Sequence, residues 1–192
     1  MRRKRQWLVL LMAGLVLLVL SGCSQPKQVG TRSMPGVAEL IDDITALTIQ
    51  TSDTQLDSGT AAAATHLLKS RSTPSTGEDT GTLATELRDA SGTERYNALS
   101  APVSSGLTRM SRLFLYPGDW SEEKVAHAIV VKLEQMDGEL YADNRDRQIT
   151  PDSYISYTYT YSVSVRQAYS DQSSAWVIGV GINQTAKEEH KT

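Results

Sequence analysis

The stretch from Ile155 to Arg166, ISYTYTYSVSVR, does most to narrow what this chain can fold into. Ile155, Tyr157, Tyr159, Tyr161, Val163 and Val165 fall on one side of an extended backbone, and Ser156, Thr158, Thr160, Ser162 and Ser164 on the other. Strict alternation of aromatic and β-branched residues with small polar ones is the pattern of a strand. A polar turn at Ser170 to Ser174 leads into AWVIGVGIN, where Trp176, Ile178, Val180 and Ile182 oppose Val177, Gly179 and Gly181. The two runs are expected to pair as an antiparallel hairpin. Its Tyr/Val and Trp/Ile faces need cover, while the Ser/Thr face suits water.

The cover is expected just upstream. Arg112 to Tyr116 (RLFLY) reads as a strand that ends at the turn pair Pro117-Gly118. Asp119 or Ser121 can then cap a helix to Met136, with Glu122 and Glu123 in its first turn. Val125, Ile129, Leu133 and Met136 form its buried stripe, and Asp137-Gly138 is expected to stop it. A short strand near Glu139 to Ala142 and a charged turn, DNRDR, complete the unit. The fold class expected is α+β: a small antiparallel sheet with one packed helix, in the order β-α-β-β-β, over residues 108–186. A polar tail, 187–192, follows.

Upstream of that unit the texture is different. Residues 51–107 are poor in large apolar side chains and rich in Ser, Thr, Gly and Ala, the composition of a low-complexity spacer with short helices, such as AAAATHLLKSR at 61–71. Before it, residues 34–50 read as an amphipathic helix with Pro35 in the first turn and Val37, Leu40, Ile41, Ile44 and Leu47 on one face. Residues 23–33 form a polar tether.

The N-terminus carries an address. Arg2, Arg3, Lys4 and Arg5 precede an apolar run from Trp7 to Leu20, shorter than the ~20 residues of a spanning helix and suited to a signal-peptide core. The run ends in Leu20-Ser21-Gly22-Cys23. This segment resembles the lipobox of bacterial lipoproteins. The resemblance implies that residues 1–22 are removed and that Cys23 is acylated, with palmitate among its chains. Cys23 is the only cysteine, so it has no disulfide partner within the chain. Ser24, rather than aspartate, follows it, which by the same resemblance implies the outer membrane, facing the periplasm, where the source has two membranes. In a source with one membrane, it implies the outer leaflet of the cell membrane.

Removal of residues 1–22 leaves fifteen Lys and Arg against twenty-two Asp and Glu, a net charge of −7. Nucleic-acid binding wants the opposite balance. His66, His127 and His190 are far apart, and only His127 has an acidic neighbour, Glu123, one helical turn away. Asp143 and Asp146 lack the spacing of a calcium loop. Gly179-Val180-Gly181 lies inside a strand and opens no helix, so it reads as close packing and not as a phosphate loop. The SxxK spacing occurs at Ser24/Lys27 and Ser121/Lys124, without the SDN and KTG elements of serine acyl-enzymes, and Ser121 reads as a helix cap.

No catalytic residue, metal ligand or cofactor is therefore assigned, and Cys23 is the one site residue, for lipid. The expected function is that of a lipid-anchored envelope protein, not an enzyme. It would bind protein as a structural or assembly subunit of a secretion, conjugation or surface-polymer export apparatus, and could be oligomeric. Two alternatives remain. One is an oligomeric outer-membrane pore using the 155–183 hairpin, since strands of about 9–11 residues can cross that membrane. The other is a small-ligand or lipid-binding module, which requires an apolar pocket between the 121–136 helix and the tyrosine face.

Overall fold

A computed structural model describes residues 29–50, 53–70, 75–98, 102, 104–143, 147–171 and 173–191, without the side chains of 142 and 143. The fold mixes helix and strand around an antiparallel sheet, with four helices among the described residues. In chain order the elements are β1 (Gly30–Ser33), α1 (Pro35–Ile44), β2 (Ile49–Gln50), α2 (Thr54–Ser70), β3 (Gly77–Asp79), α3 (Thr82–Ser91), β4 (Glu94–Arg95), β5 (Gly106–Pro117), α4 (Glu122–Asp143), β6 (Arg147–Thr150), β7 (Ser153–Tyr169) and β8 (Ser174–His190).

Three long strands form the centre, in the order β7-β8-β5, all antiparallel. The hairpin β7-β8 runs in unbroken register from Tyr169↔Ser174 at its turn to Ser153↔His190 at its far end. At ~3.3 Å per residue, seventeen residues make each of these two strands about 55 Å long. Short strands plug both outer edges. β1, β2 and β6 pair with successive parts of β7, and β3 and β4 pair with β5. An edge so interrupted offers little continuous backbone to another chain.

Both faces of the sheet carry helices. On one face α1 and α4 pack over Met110, Phe114, Tyr161, Val163, Val165, Trp176, Ile178, Val180 and Ile182. This is the Tyr/Val and Trp/Ile face of the hairpin. On the other, α2 and α3 pack over Leu113, Leu115, Ala168, Ala175 and Val177 through Leu56, Ala63, Ala64, Leu67, Leu83, Ala84 and Leu87.

This second layer departs from the expected water-facing Ser/Thr surface. Ser162 and Ser164 are buried there, and only the far part, around Ser156 to Thr160, is left open. The reason lies in residue size. Gly179 and Gly181 pair with Ser164 and Ser162, so this part of the sheet has almost no side-chain relief. A Cβ on Gly179 would overlap the Thr60 hydroxyl of α2. A Cβ on Gly59 of α2 would overlap the Leu87 carbonyl of α3. The segment expected as a low-complexity spacer thus contributes two helices that lie close to the sheet and to each other. Its small residues are what permit that approach.

Helix α4 also differs from expectation. It continues through Asp137-Gly138 to Asp143, and residues 139–142 are helical instead of extended. A helical glycine costs about 1 kcal/mol against alanine. Leu140 is fully buried and extends the Val125, Ile129, Leu133 and Met136 stripe by one turn, which returns about 1.5–3 kcal/mol. Burial wins. In the 34–50 segment, helix α1 ends at Ile44, where Thr45 turns extended and its hydroxyl accepts the Leu47 N–H, and Ile49-Gln50 joins β7 as β2. The β-branched residues Thr45, Thr48 and Ile49 favour that change.

Candidate functional site

The two ends of the sheet differ in chemistry. The turn end, around Tyr169 to Ser174, is tied by aromatic contacts. Trp176 Nε1 donates to the Trp120 carbonyl at 3.1 Å, Trp120 stacks on Tyr116 at 4.9 Å, and the Lys124 ammonium lies 3.8 Å from the Trp120 ring centre. A hollow of about 730 Å³ opens there beside Arg32, Gln167 and Tyr169, but Arg32 already donates twice to Gln167 Oε1.

The far end is polar and tyrosine-rich. Tyr161 donates to Asp137 Oδ1 at 2.5 Å, and burial together with that carboxylate pushes the phenol well above its ordinary value. Tyr96 donates to Glu139 Oε2 at 3.0 Å and to the Met136 carbonyl. Tyr157 donates to the Pro102 carbonyl at 2.7 Å, and burial raises its phenol too, against the pull of Arg147. Tyr141 meets Tyr159 edge-on at 5.2 Å. These contacts join α4 to Tyr96 and to β7, and Pro102 to the far part of β7.

Beside β4 and the nearby part of β5 lies a cleft of about 630 Å³. Among the described residues it is lined by Glu94, Arg95, Tyr96, Asn97, Pro102, Thr108 and Met110. Beside Thr108, on β8, is its register partner Gln184, with no exposed surface. The Gln184 amide nitrogen donates to the Tyr159 hydroxyl at 3.2 Å, while its Oε1 has no hydrogen-bond partner. A buried polar atom without a partner costs about 1–3 kcal/mol.

A second polar network lies on the opposite face. Asp53 caps α2 by accepting the Gln55 and Leu56 N–H groups at 3.0 Å each, and its other oxygen accepts from Arg109 at 3.1 Å and from Ser162. Beyond Arg109 the sheet face is uncovered. Leu107 is 62 % exposed and lies beside Thr185, which pairs with Thr158.

The candidates read from sequence do not converge. Cys23, the signal segment 1–22, Ser24, Lys27 and Asp146 lie outside the described residues. His66 on α2 bonds Glu86 on α3 at 3.1 Å, His127 is exposed on α4, and His190 ends β8. Asp143 closes α4. Among the described residues no three His, Cys, Asp or Glu side chains gather where a metal ion could be held. Ser121 accepts the Lys124 N–H at 3.3 Å, and with backbone N–H donation its hydroxyl holds the Glu123 carboxyl below its usual range. The Lys124 ammonium is on Trp120, not on Ser121. Gly179-Val180-Gly181 lies within β8 against α2. The interface between α4 and the tyrosine face, where a lipid pocket would lie, is packed with Val125, Ile129, Leu133, Met136 and Leu140.

Sequence reasoning missed the far-end cleft. Its signal was parity. Gln184 continues the row Trp176, Ile178, Val180 and Ile182, so an uncharged polar residue follows four core positions on the same face. No known protein family, no curated protein and no solved structure matches the chain.

Proposed function

We propose that this chain is a lipid-anchored cell-envelope protein that binds protein as a structural or assembly subunit of an apparatus for secretion, conjugation or surface-polymer export. The observation that carries the reading is Leu20-Ser21-Gly22-Cys23 after a cationic and apolar leader. Diacyl attachment at Cys23 gives firm anchoring, since each buried methylene contributes about 0.8 kcal/mol. It lies in the outer membrane facing the periplasm, or in the outer leaflet where there is one membrane.

The fold adds a geometry to the anchor. β1 begins at Gly30, seven residues after Cys23, a span of at most ~25 Å. β1 pairs with the turn end of β7, at Tyr169. In this reading the turn end stays near the lipid, and the far end projects outward. In this reading the working body is a β-α-β-β-β unit over 108–186 with the amphipathic helix of 34–50 docked on it, and it acts by binding, without catalysis. The uncovered sheet face at Leu107, Thr158 and Thr185 supports protein contact there. The pore reading needs a hairpin free of helices, whereas helices pack on both faces of its part near the turn.

Mass spectrometry of the purified protein tests the anchor: the N-terminal residue is expected to be acylated Cys23, and an unmodified Cys23 would remove the reading. Photo-crosslinkers placed in living cells at Leu107 and at Asp119 test the orientation. A discrete protein adduct is expected from Leu107 and not from Asp119; the reverse pattern defeats far-end recognition.

A further inference from the structure

We infer that the sheet edge where α2 meets β1 binds a phosphate group, held by the guanidinium of Arg166 with the hydroxyls of Ser33 and Thr31 beside it. The inference depends neither on the lipid anchor nor on a protein partner.

Three observations carry it. The first is a buried donor with no acceptor. Arg166 lies on β7, on the face that α2 covers, between Ser33 of β1 and Val177 of β8. Its Nε is buried and has no hydrogen-bond partner. Among the described residues no carboxylate forms an ion pair with it. A guanidinium stays charged at any physiological pH and can only donate. Burying one of its N–H groups unmet costs free energy that a bound anion would return. The second observation is the direction left open. Val177 and Ala168, its neighbours toward the centre and the turn, are buried and apolar. α2 packs on β7 and reaches β1, which lies at the sheet edge. An acceptor can therefore approach only from the β1 side, where Ser33 is exposed.

The third observation selects the anion. Ser33 stands opposite Arg166 and Thr31 opposite Ala168, so both hydroxyls lie on the Arg166 face of the sheet. Neither is hydrogen-bonded among the described residues. Arg32, between them in sequence, falls on the opposite face and is held by Gln167, so it adds nothing here. A carboxylate is flat, and a guanidinium fork meets both its oxygens in one plane. A phosphate is tetrahedral. It can offer two oxygens to the fork and a further one, out of that plane, to a neighbouring hydroxyl. One arginine flanked by two unused hydroxyls suits the second shape.

The test uses the full-length protein in a non-ionic, phosphate-free detergent at constant ionic strength. The Nε–H signal of Arg166, assigned by its loss in Arg166→Met, is followed by NMR during separate titrations with sodium phosphate, short-chain phosphatidylglycerol and sodium acetate. A saturable shift at millimolar phosphate or lipid is expected. A response to the lipid alone identifies a headgroup phosphate, and a response to inorganic phosphate a soluble one; either sustains the site. Ser33→Ala, at an exposed position that leaves the fold intact, is expected to weaken binding about tenfold, the worth of one hydrogen bond to an anion. The proposal is overturned if neither phosphate source moves the signal, if acetate moves it as strongly at the same concentration, or if Ser33→Ala binds as tightly as the parent.

Discussion

Gly179 sets how closely α2 can lie on the sheet. Its absent side chain leaves room that Thr60, Leu56 and Leu87 already fill. Gly179→Ala is expected to lower unfolding stability by about 1–3 kcal/mol in denaturant melts, the usual cost of overpacking. Gly138 is the contrasting case, since a Cβ there meets nothing within 4 Å. Gly138→Ala is expected to stabilise α4 by up to about 1 kcal/mol in the same melts. Tyr161 makes a prediction in pH. Its phenol is held above the ordinary value by burial and by Asp137, so the folded protein keeps a proton that the unfolded chain loses near pH 10. The stabilisation is complete below about pH 10 and declines as pH rises further. Melts between pH 9 and 11 should therefore show falling stability, and Tyr161→Phe should make that fall shallower.

At the scale of elements, α2 hangs on Asp53. That carboxylate caps the helix and also pairs with Arg109 of β5. Asp53→Ala is expected to cost roughly 0.5–2 kcal/mol for the lost cap, and more for the stranded Arg109. Hydrogen exchange should speed first at the Gln55 and Leu56 amides. Some elements were legible before the fold was seen, because one property dominated them. The alternation of β7 is an example, and the stripe Val125, Ile129, Leu133 and Met136 of α4 is another. The α2-α3 layer was not legible, for an equally physical reason. Its Ala63, Ala64, Gly59 and Thr60 are small, and small residues read as low hydrophobicity although here they give close packing. Their matching surface, Gly179 and Gly181, lies about 120 residues further along the chain. Only the fold brings the two halves together. The candidate cleft was hidden in the same way, since Glu94 and Thr108 become neighbours only through the register of β4 and β5.

Across the whole molecule, burial is greatest where helices cover both faces. Ser162 to Val165 and Ile178 to Ile182 lie in that sandwich, whereas Ser156 to Thr160 have only one covered face. Amide exchange by mass spectrometry should therefore be slowest around 162–165 and 178–182 and faster around 156–160. The reverse order would mean that α2 and α3 detach readily from the sheet. The direction of β1 has a mechanical consequence. Gly30 pairs with Tyr169 and Ser33 with Arg166, so β1 enters at the turn end and lies antiparallel along β7. A tug on the tether, opposed by a partner held at the far end, pulls these two strands lengthwise past one another. Their hydrogen bonds then share the load at once instead of opening singly like a zipper, so the attachment is strongest along the line in which the proposed anchor would strain it.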